Sequence, residues 1–270
     1  MKNLLLYFLF ISLFTPPVVA GEVSLLGNHM QGGLIFGMTE PGNRVDLNGQ
    51  SLTVSVDGHF LFGFGRNAKK EAILRVTGLD GVVIKKVLRV APRVYKTQRI
   101  NGLPSRTVIP KHEDIVRIRA ENTDISRVRS LNTNQTHFLS GFLWPVKGRI
   151  SGVFGSQRIL NGKPKSPHNG VDIAAPEGTI IVAPADGIAA LVHQDMFYTG
   201  KTLMLDHGFG LTTVYAHMSA LLVEQGNFVK QGTPIGKVGK TGRATGPHLH
   251  WGLTLNHTHL DPALVVGEIY

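Results

Sequence analysis

An all-β fold is predicted for this 270-residue chain, on three observations. Short apolar runs recur along most of its length. Turn pairs such as Asn48-Gly49, Asp57-Gly58 and Asp80-Gly81 separate them. The chain also carries 32 glycines and 14 prolines, which supply turns at the density a β-rich fold needs. One stretch departs from this pattern. The expected organisation is a signal peptide over 1–20, a small β-sandwich over 21–95, a linker with a helical segment over 96–140 and a closing antiparallel β domain over 141–270.

The elements follow in order. Lys2, an apolar run from Leu4 to Phe14 and the small-residue site Val18-Val19-Ala20 read as a secretory signal peptide. An uncleaved N-terminal anchor is the alternative, but the run is short for a membrane span. No cysteine follows it, which excludes a lipoprotein anchor. Next come Leu34–Gly37, Arg44–Leu47, Leu52–Val56, His59–Phe62, Ala72–Val76 and Val82–Ile84, read as strands. Asn-Gly and Asp-Gly between apolar runs are hairpin chemistry, because both residues accept positive φ. The stretch "PGNRVDLNGQSLTVSVDGHFLFGFGR" loosely resembles bacterial immunoglobulin-like or carboxypeptidase-regulatory-like modules, which implies a β-sandwich. From about residue 96, Ile115, Ile118, Ile125, Val128 and Leu131 recur at three- to four-residue intervals between charges. That period predicts one or two amphipathic helices, with a break near Asn122-Thr123-Asp124. After Phe142 the strand pattern returns at Thr179–Ala183, Ile188–Val192, Thr202–Asp206, Leu211–Tyr215 and Ile235–Val238. A short helix is expected over Met218–Glu224.

Bulk properties narrow the function. At 42% hydrophobic the chain can bury a sizeable core. Without cysteine it forms no disulfide. A net charge of +10 on an exported protein favours an anionic partner. Bacterial wall and acidic lipid qualify. Nucleic acid does not fit well, because the basic residues are scattered and no recognition-helix pattern is present.

Chemistry concentrates late in the chain, in His168-Asn169-Gly170-Val171-Asp172 and Gly246-Pro247-His248-Leu249-His250-Trp251. Imidazoles and a carboxylate without cysteine suit a catalytic zinc site, which spends three N/O ligands and keeps a fourth position for water. Pro167 and Gly170 argue against a helix through the first cluster. In a strand, alternate side chains share a face. Residues 168, 170 and 172 then point together, Gly170 leaving the space between unobstructed, and His248 pairs with His250 while Leu249 enters the core. By the same rule Tyr215 and His217 form a same-face pair. Three of these groups suffice for Zn²⁺, and two histidines remain to work on a water. His257-Thr258-His259 repeats the spacing but reads as a surface turn. Asn169 and Arg158 are possible groove residues, and His193 and His207 are expected at the groove or exposed.

The block "HNGVDIAAPEGTIIVAPADG", then "VYAHM", then "VKQGTPIGKVGKTGRATGPHLHW" resembles the lysostaphin/LytM-type zinc metallopeptidases, murein endopeptidases with a duplicated hybrid motif. The resemblance covers about residues 145–265. It implies a two-layer antiparallel β core with a groove over the metal. It also implies Zn²⁺ held by His168, Asp172 and His250, with His217 and His248 catalytic and off the metal. His248 is then the general base, and His217 orients the water or stabilises the oxyanion, with the two roles exchangeable. The implied protein is a secreted zinc metalloendopeptidase that hydrolyses peptide cross-links of bacterial peptidoglycan. It would act on stem peptides in the periplasm, cell envelope or extracellular space, with no membrane span after signal cleavage. The alternative is a non-hydrolytic scaffold of the same type that binds wall or activates a partner amidase. One departure stands out: the family often carries a glutamate shortly after His-Leu-His, and here Gly252 follows Trp251. The arm before the domain holds Asn132, Asn134 and His137, any of which would autoinhibit if it reached the groove.

Overall fold

The structure, a computed structural model, describes residues 23–267. The expected signal peptide lies outside the described residues. Two antiparallel sheets face each other over the first seventy residues of that range. One contains Ser24–Gly27, Leu34–Met38 and His59–Gly63, the other Gln50–Leu52, Arg44–Leu47, Glu71–Thr77 and Val83–Arg89. Glu71–Thr77 buries every second residue, and Ala72, Leu74 and Val76 pack against Ile35, Phe60 and Phe62 of the other sheet. The Arg44–Leu47 hairpin turns at Asn48 and Gly49, with φ of 53° and 82°. That is the doubly positive geometry Asn-Gly favours.

The chain then crosses to the C-terminal domain by a route that matters for the site. Thr97–Ile100 pairs in parallel with Gln157–Leu160. A single helical turn, Ser105–Val108, buries Val108 with Leu103 and Leu160. An 18-residue helix, His112–Arg129, follows without interruption. The break expected near Asn122-Thr123-Asp124 does not occur: the Thr123 hydroxyl donates to the Arg119 carbonyl one turn back (3.0 Å), and the helix runs on to Arg129. Asp114 starts the helix by accepting the Lys111 backbone N–H (3.1 Å).

The C-terminal domain is built on an eight-stranded antiparallel sheet. Its central strands are Gly200–Asp206, Leu211–Met218, His248–Leu255 and Val171–Ala174, with Arg149–Gly152 at one edge. One face carries Ile173, Leu203, Leu205, Tyr215, Leu249 and Trp251. This face packs on a smaller sheet of Ile180–Val182, Pro234–Lys237 and Ala220–Leu221, through Ile181 and Ile235. The helix expected over Met218–Glu224 is therefore absent: Met218 ends one strand, and Ala220–Leu221 pairs with Gly236 and Lys237. The second HxH lies partly in a strand as well. Asn256 and His257 turn with positive φ, and Thr258–Leu260 returns along Leu253–Leu255. On the opposite face of the large sheet, Val128 of the helix packs with Leu191, Met204 and Val214.

The sandwich is docked onto this domain. Leu34 and Leu61 pack with Phe138, Phe209, Leu253 and Leu260. Arg93 pairs with the buried Asp261 (2.8 Å). Among the described residues no helix is long and apolar enough to cross a membrane.

Candidate metal centre

Register brings the first two groups together. Asp172 and His250 are direct partners across the ladder between Val171–Ala174 and His248–Leu255, and Ala174 faces His248 one row along. His168 precedes its strand in an irregular segment, fixed by backbone bonds to Gly155 and Ser156 (2.8 and 2.9 Å). Gly170 is required by close approach. A Cβ there would lie 2.3 Å from the Trp251 carbonyl oxygen and 3.0 Å from the His250 ring.

Three ligand atoms converge. His168 Nε2 lies 3.0 Å from His250 Nδ1 and 3.0 Å from Asp172 Oδ1, and His250 Nδ1 lies 2.9 Å from the same oxygen. His168 Nδ1 faces the Val153 carbonyl (3.1 Å), which only accepts. Nδ1 is thus held by a carbonyl, and Nε2 is the ring nitrogen that faces Asp172 and His250. Burial raises the Asp172 pKa, but its hydrogen bonds to His168 and His250 outweigh that and hold it well below the carboxylate range. Burial pushes His250 down to about 4, against the pull of Asp172, so at neutral pH its ring carries no charge. His168, Asp172 and His250 thus form a cluster able to hold a metal cation. Arg158 donates to the other oxygen, Asp172 Oδ2, which turns Oδ1 toward the histidines.

Two further histidines flank the triangle. The His217 ring lies 4.7 Å from that of His248 and 6.3 Å from that of His250. His248 Nδ1 donates to the Gly246 carbonyl (2.9 Å) and His217 Nδ1 to that of Thr241 (2.8 Å), so each keeps Nε2 as its basic nitrogen. His248 Nε2 is 3.9 Å from Asp172 Oδ1. Burial, then repulsion from His248 and His250, pushes His217 down to about 3.

His217 arrives by a route that the period of two does not contain. Tyr215 pairs with Trp251 on the core face, so Ala216 and His250 share the metal face and a regular strand would return His217 to the core. Instead His217 has φ of 64°, where the register against Gly200–Asp206 shifts. This bulge turns its ring toward the metal face. Tyr215 and His217 are thus not a same-face pair. Tyr215 is fully buried and bonded to Thr213 (2.8 Å).

A cavity of about 280 Å³ opens beside the triangle. Asp172, His217, His248 and Arg158 line it, as do Arg149 and Arg243, which the sequence pattern did not single out. The linker supplies one wall through Gln98, Ile100 and Leu103. Asn132, Asn134 and His137 take no part. Asn132 bonds to Thr53 (3.2 Å), Asn134 is exposed, and His137 packs on Phe228 (5.2 Å). Asn169 is exposed and does not line the cavity. His207, expected at the groove or exposed, is fully buried between the Asp186 carbonyl (2.6 Å) and the Thr213 hydroxyl (2.8 Å). His193 is half-buried and accepts from the Asp195 backbone (3.1 Å).

Residues 166–262, which contain all five of these groups, match peptidase family M23. The chain carries a peptidase family M23 domain. Over 120 residues its M23 domain is 45% identical to a DD-carboxypeptidase/endopeptidase of Neisseria meningitidis, covering 44% of this chain and 27% of that protein. Over 113 residues it is 41% identical to a peptidoglycan DD-endopeptidase of Vibrio cholerae, covering 41% of this chain and 26% of that one. The M23 alignment thus spans about a quarter of the length of these relatives. A solved structure of a putative M23 peptidase from Pseudomonas aeruginosa matches more of the chain. It is 29% identical with a TM-score of 0.65, covering 89% of this chain and 96% of that one, so the likeness includes the sandwich and linker as well as the M23 domain.

Proposed function

We propose that this protein is an exported zinc metalloendopeptidase that hydrolyses peptide cross-links of bacterial peptidoglycan. The observation that carries the reading is the triangle of His168, Asp172 and His250 beside a pair of histidines that both offer a basic Nε2 to the same cavity. Tetrahedral zinc with bonds of about 2.0–2.1 Å sets its ligands roughly 3.3 Å apart. The triangle, at 2.9–3.0 Å, needs to open by only a few tenths of an ångström. The donor set also fits zinc, with two imidazoles and one carboxylate and no thiolate.

Zinc bound there supplies Lewis acidity toward the scissile carbonyl and makes water a better nucleophile at neutral pH. The remaining work belongs to the chain. His248 Nε2 takes the proton from the attacking water, with its ring held in the required tautomer by the Gly246 carbonyl. His217 Nε2, fixed by Thr241, accepts the second hydrogen bond of that water and sets its approach. Arg158 keeps the Asp172 carboxylate oriented. Relatives named as peptidoglycan DD-endopeptidases support the substrate class, as does the net charge of +10 toward an anionic wall.

The test is release of soluble peptides from purified sacculi by zinc-loaded protein, with and without a chelator, analysed by mass spectrometry. Chelator-sensitive release of peptides cut at cross-links is expected. Absence of release by zinc-loaded protein removes the hydrolytic reading in favour of a scaffold.

A further inference from the structure

The cavity beside the metal triangle is lined by three arginines, Arg149, Arg158 and Arg243, against a single carboxylate, Asp172. Arg158 is committed to that carboxylate. The other two have no acidic partner. The Arg149 side chain makes no hydrogen bond or ion pair among the described residues and is exposed. Arg243 spends one N–H on the Thr107 carbonyl (3.2 Å) and stacks on the Tyr198 ring at 4.4 Å, which holds its plane. Burial, with the nearby charge of Arg158, lowers the Arg243 pKa, and a guanidinium in a protein stays protonated. Two guanidinium groups without an acidic partner thus line one concave site.

Register sets where an anion bound there would sit. Arg149 pairs with Ala174, and Ala174 pairs with His248, so the three lie in one row across the sheet. Asp172 and His250 occupy the row two residues along. Two residues of strand are roughly 7 Å. A bulge between Asp172 and Ile173 shifts the edge strand, so that Gly152 stands beside Asp172 and Arg149 beside Ala174. Were Gly152 replaced, a Cβ there would meet Asp172 Oδ2 at 2.4 Å, so the metal row tolerates nothing larger while the next row presents a cation. The far wall, Ile100, Leu103 and Leu160, is apolar and offers no competing charge.

We propose that Arg149 and Arg243 form a carboxylate-binding subsite about two residues from the scissile bond, so that the preferred substrate is a peptide with a free carboxylate at that distance. This rests on the hydrolytic reading above and deepens it. In a cross-linked stem peptide such a carboxylate comes either from a terminal D-amino acid or from the diamino acid at the cross-link. A planar, bidentate guanidinium suits both.

The experiment uses the zinc-loaded full protein and matched cross-linked peptides, each carboxylate in turn converted to the carboxamide. kcat/KM is measured for wild type, Arg149→Gln, Arg243→Gln and Arg243→Lys, with zinc content and circular dichroism checked for each. Wild type should prefer one acid form over its amide by about 10- to 100-fold, the loss typical of a charge-assisted hydrogen bond. Which amide is the poor substrate names the carboxylate. In either glutamine variant that preference should fall to a few-fold, with Arg243→Lys intermediate. Equal cleavage of acids and amides by wild type, or an unchanged preference in both glutamine variants, overturns the subsite. If no peptide is cleaved, the hydrolytic reading fails, and calorimetric binding of the same peptides decides the subsite by itself. Tighter binding of an acid form that the variants abolish supports it, and equal affinity overturns it.

Discussion

Replacing Gly170 by alanine tests how the centre is held. The new Cβ would sit 2.3 Å from the Trp251 carbonyl oxygen, 3.0 Å from the Gly252 Cα and 3.0 Å from His250 Cε1. An ordinary carbon–oxygen contact is about 3.2 Å or more, so relief requires a shift of roughly 1 Å. Two of the three contacts are backbone, which cannot rotate away. The displaced segment links His168 to Asp172, and its neighbour strand carries His250, so the shift separates ligands that metal bonds tolerate to only about 0.2 Å. Gly170 does not have positive φ, so backbone strain adds nothing. Overpacking of this kind costs about 1–3 kcal/mol. For a chain of this size that is a fall in melting temperature of about 2–10 °C. Zinc affinity should drop at least tenfold, read by competition with a chromophoric chelator. Thermal unfolding with and without zinc separates the two losses. A variant that keeps zinc affinity within threefold and melts with wild type would refute the claim that close approach at Gly170 sets the ligand geometry.

Other outcomes follow from the same contacts. His250→Ala should lose zinc, whereas His248→Ala should retain it in metal analysis and lose at least 10²-fold in turnover, the usual worth of a proton-transferring group. Arg158→Met frees Asp172 Oδ2 and should weaken zinc binding by about 10- to 100-fold, measured by chelator competition. His207 predicts acid sensitivity away from the metal. Burial lowers its pKa to about 4 in the folded state. The unfolded chain takes up the proton near pH 6.5, before the folded chain does. The contribution of the neutral ring is therefore complete above that pH and is lost as pH falls toward 4, by about 3 kcal/mol. Urea titrations at pH 7 and 4.5 should show the loss, and it should shrink in His207→Gln.

Much of the centre was legible because period-two geometry is local. His248 and His250 share a face whatever their neighbours do, and Leu249 and Trp251 must then enter the core. The Asn48-Gly49 turn and the helical spacing of Ile125 and Val128 were visible for the same reason: φ preference and side-chain period belong to a few consecutive residues. The short helix expected at Met218–Glu224 failed because pairing with Pro234–Lys237 outweighed a weak local pattern. Arg149 and Arg243 carried no signal, since an arginine in a groove and one in solvent look alike along the chain.

By itself, then, the sequence determined which side chains were available, which of them alternate together and where the chain turns. Tertiary structure decided how they meet. His217 reaches the metal face only because a bulge against the neighbouring strand gives it a φ of 64°. Asp172 faces His250 through the register of strands some eighty residues apart, and the linker walls the cavity through a parallel pairing at Gln157–Leu160. Strand period is a property of one segment, whereas register, bulges and groove walls depend on segments distant in the chain, so only the folded protein contains them.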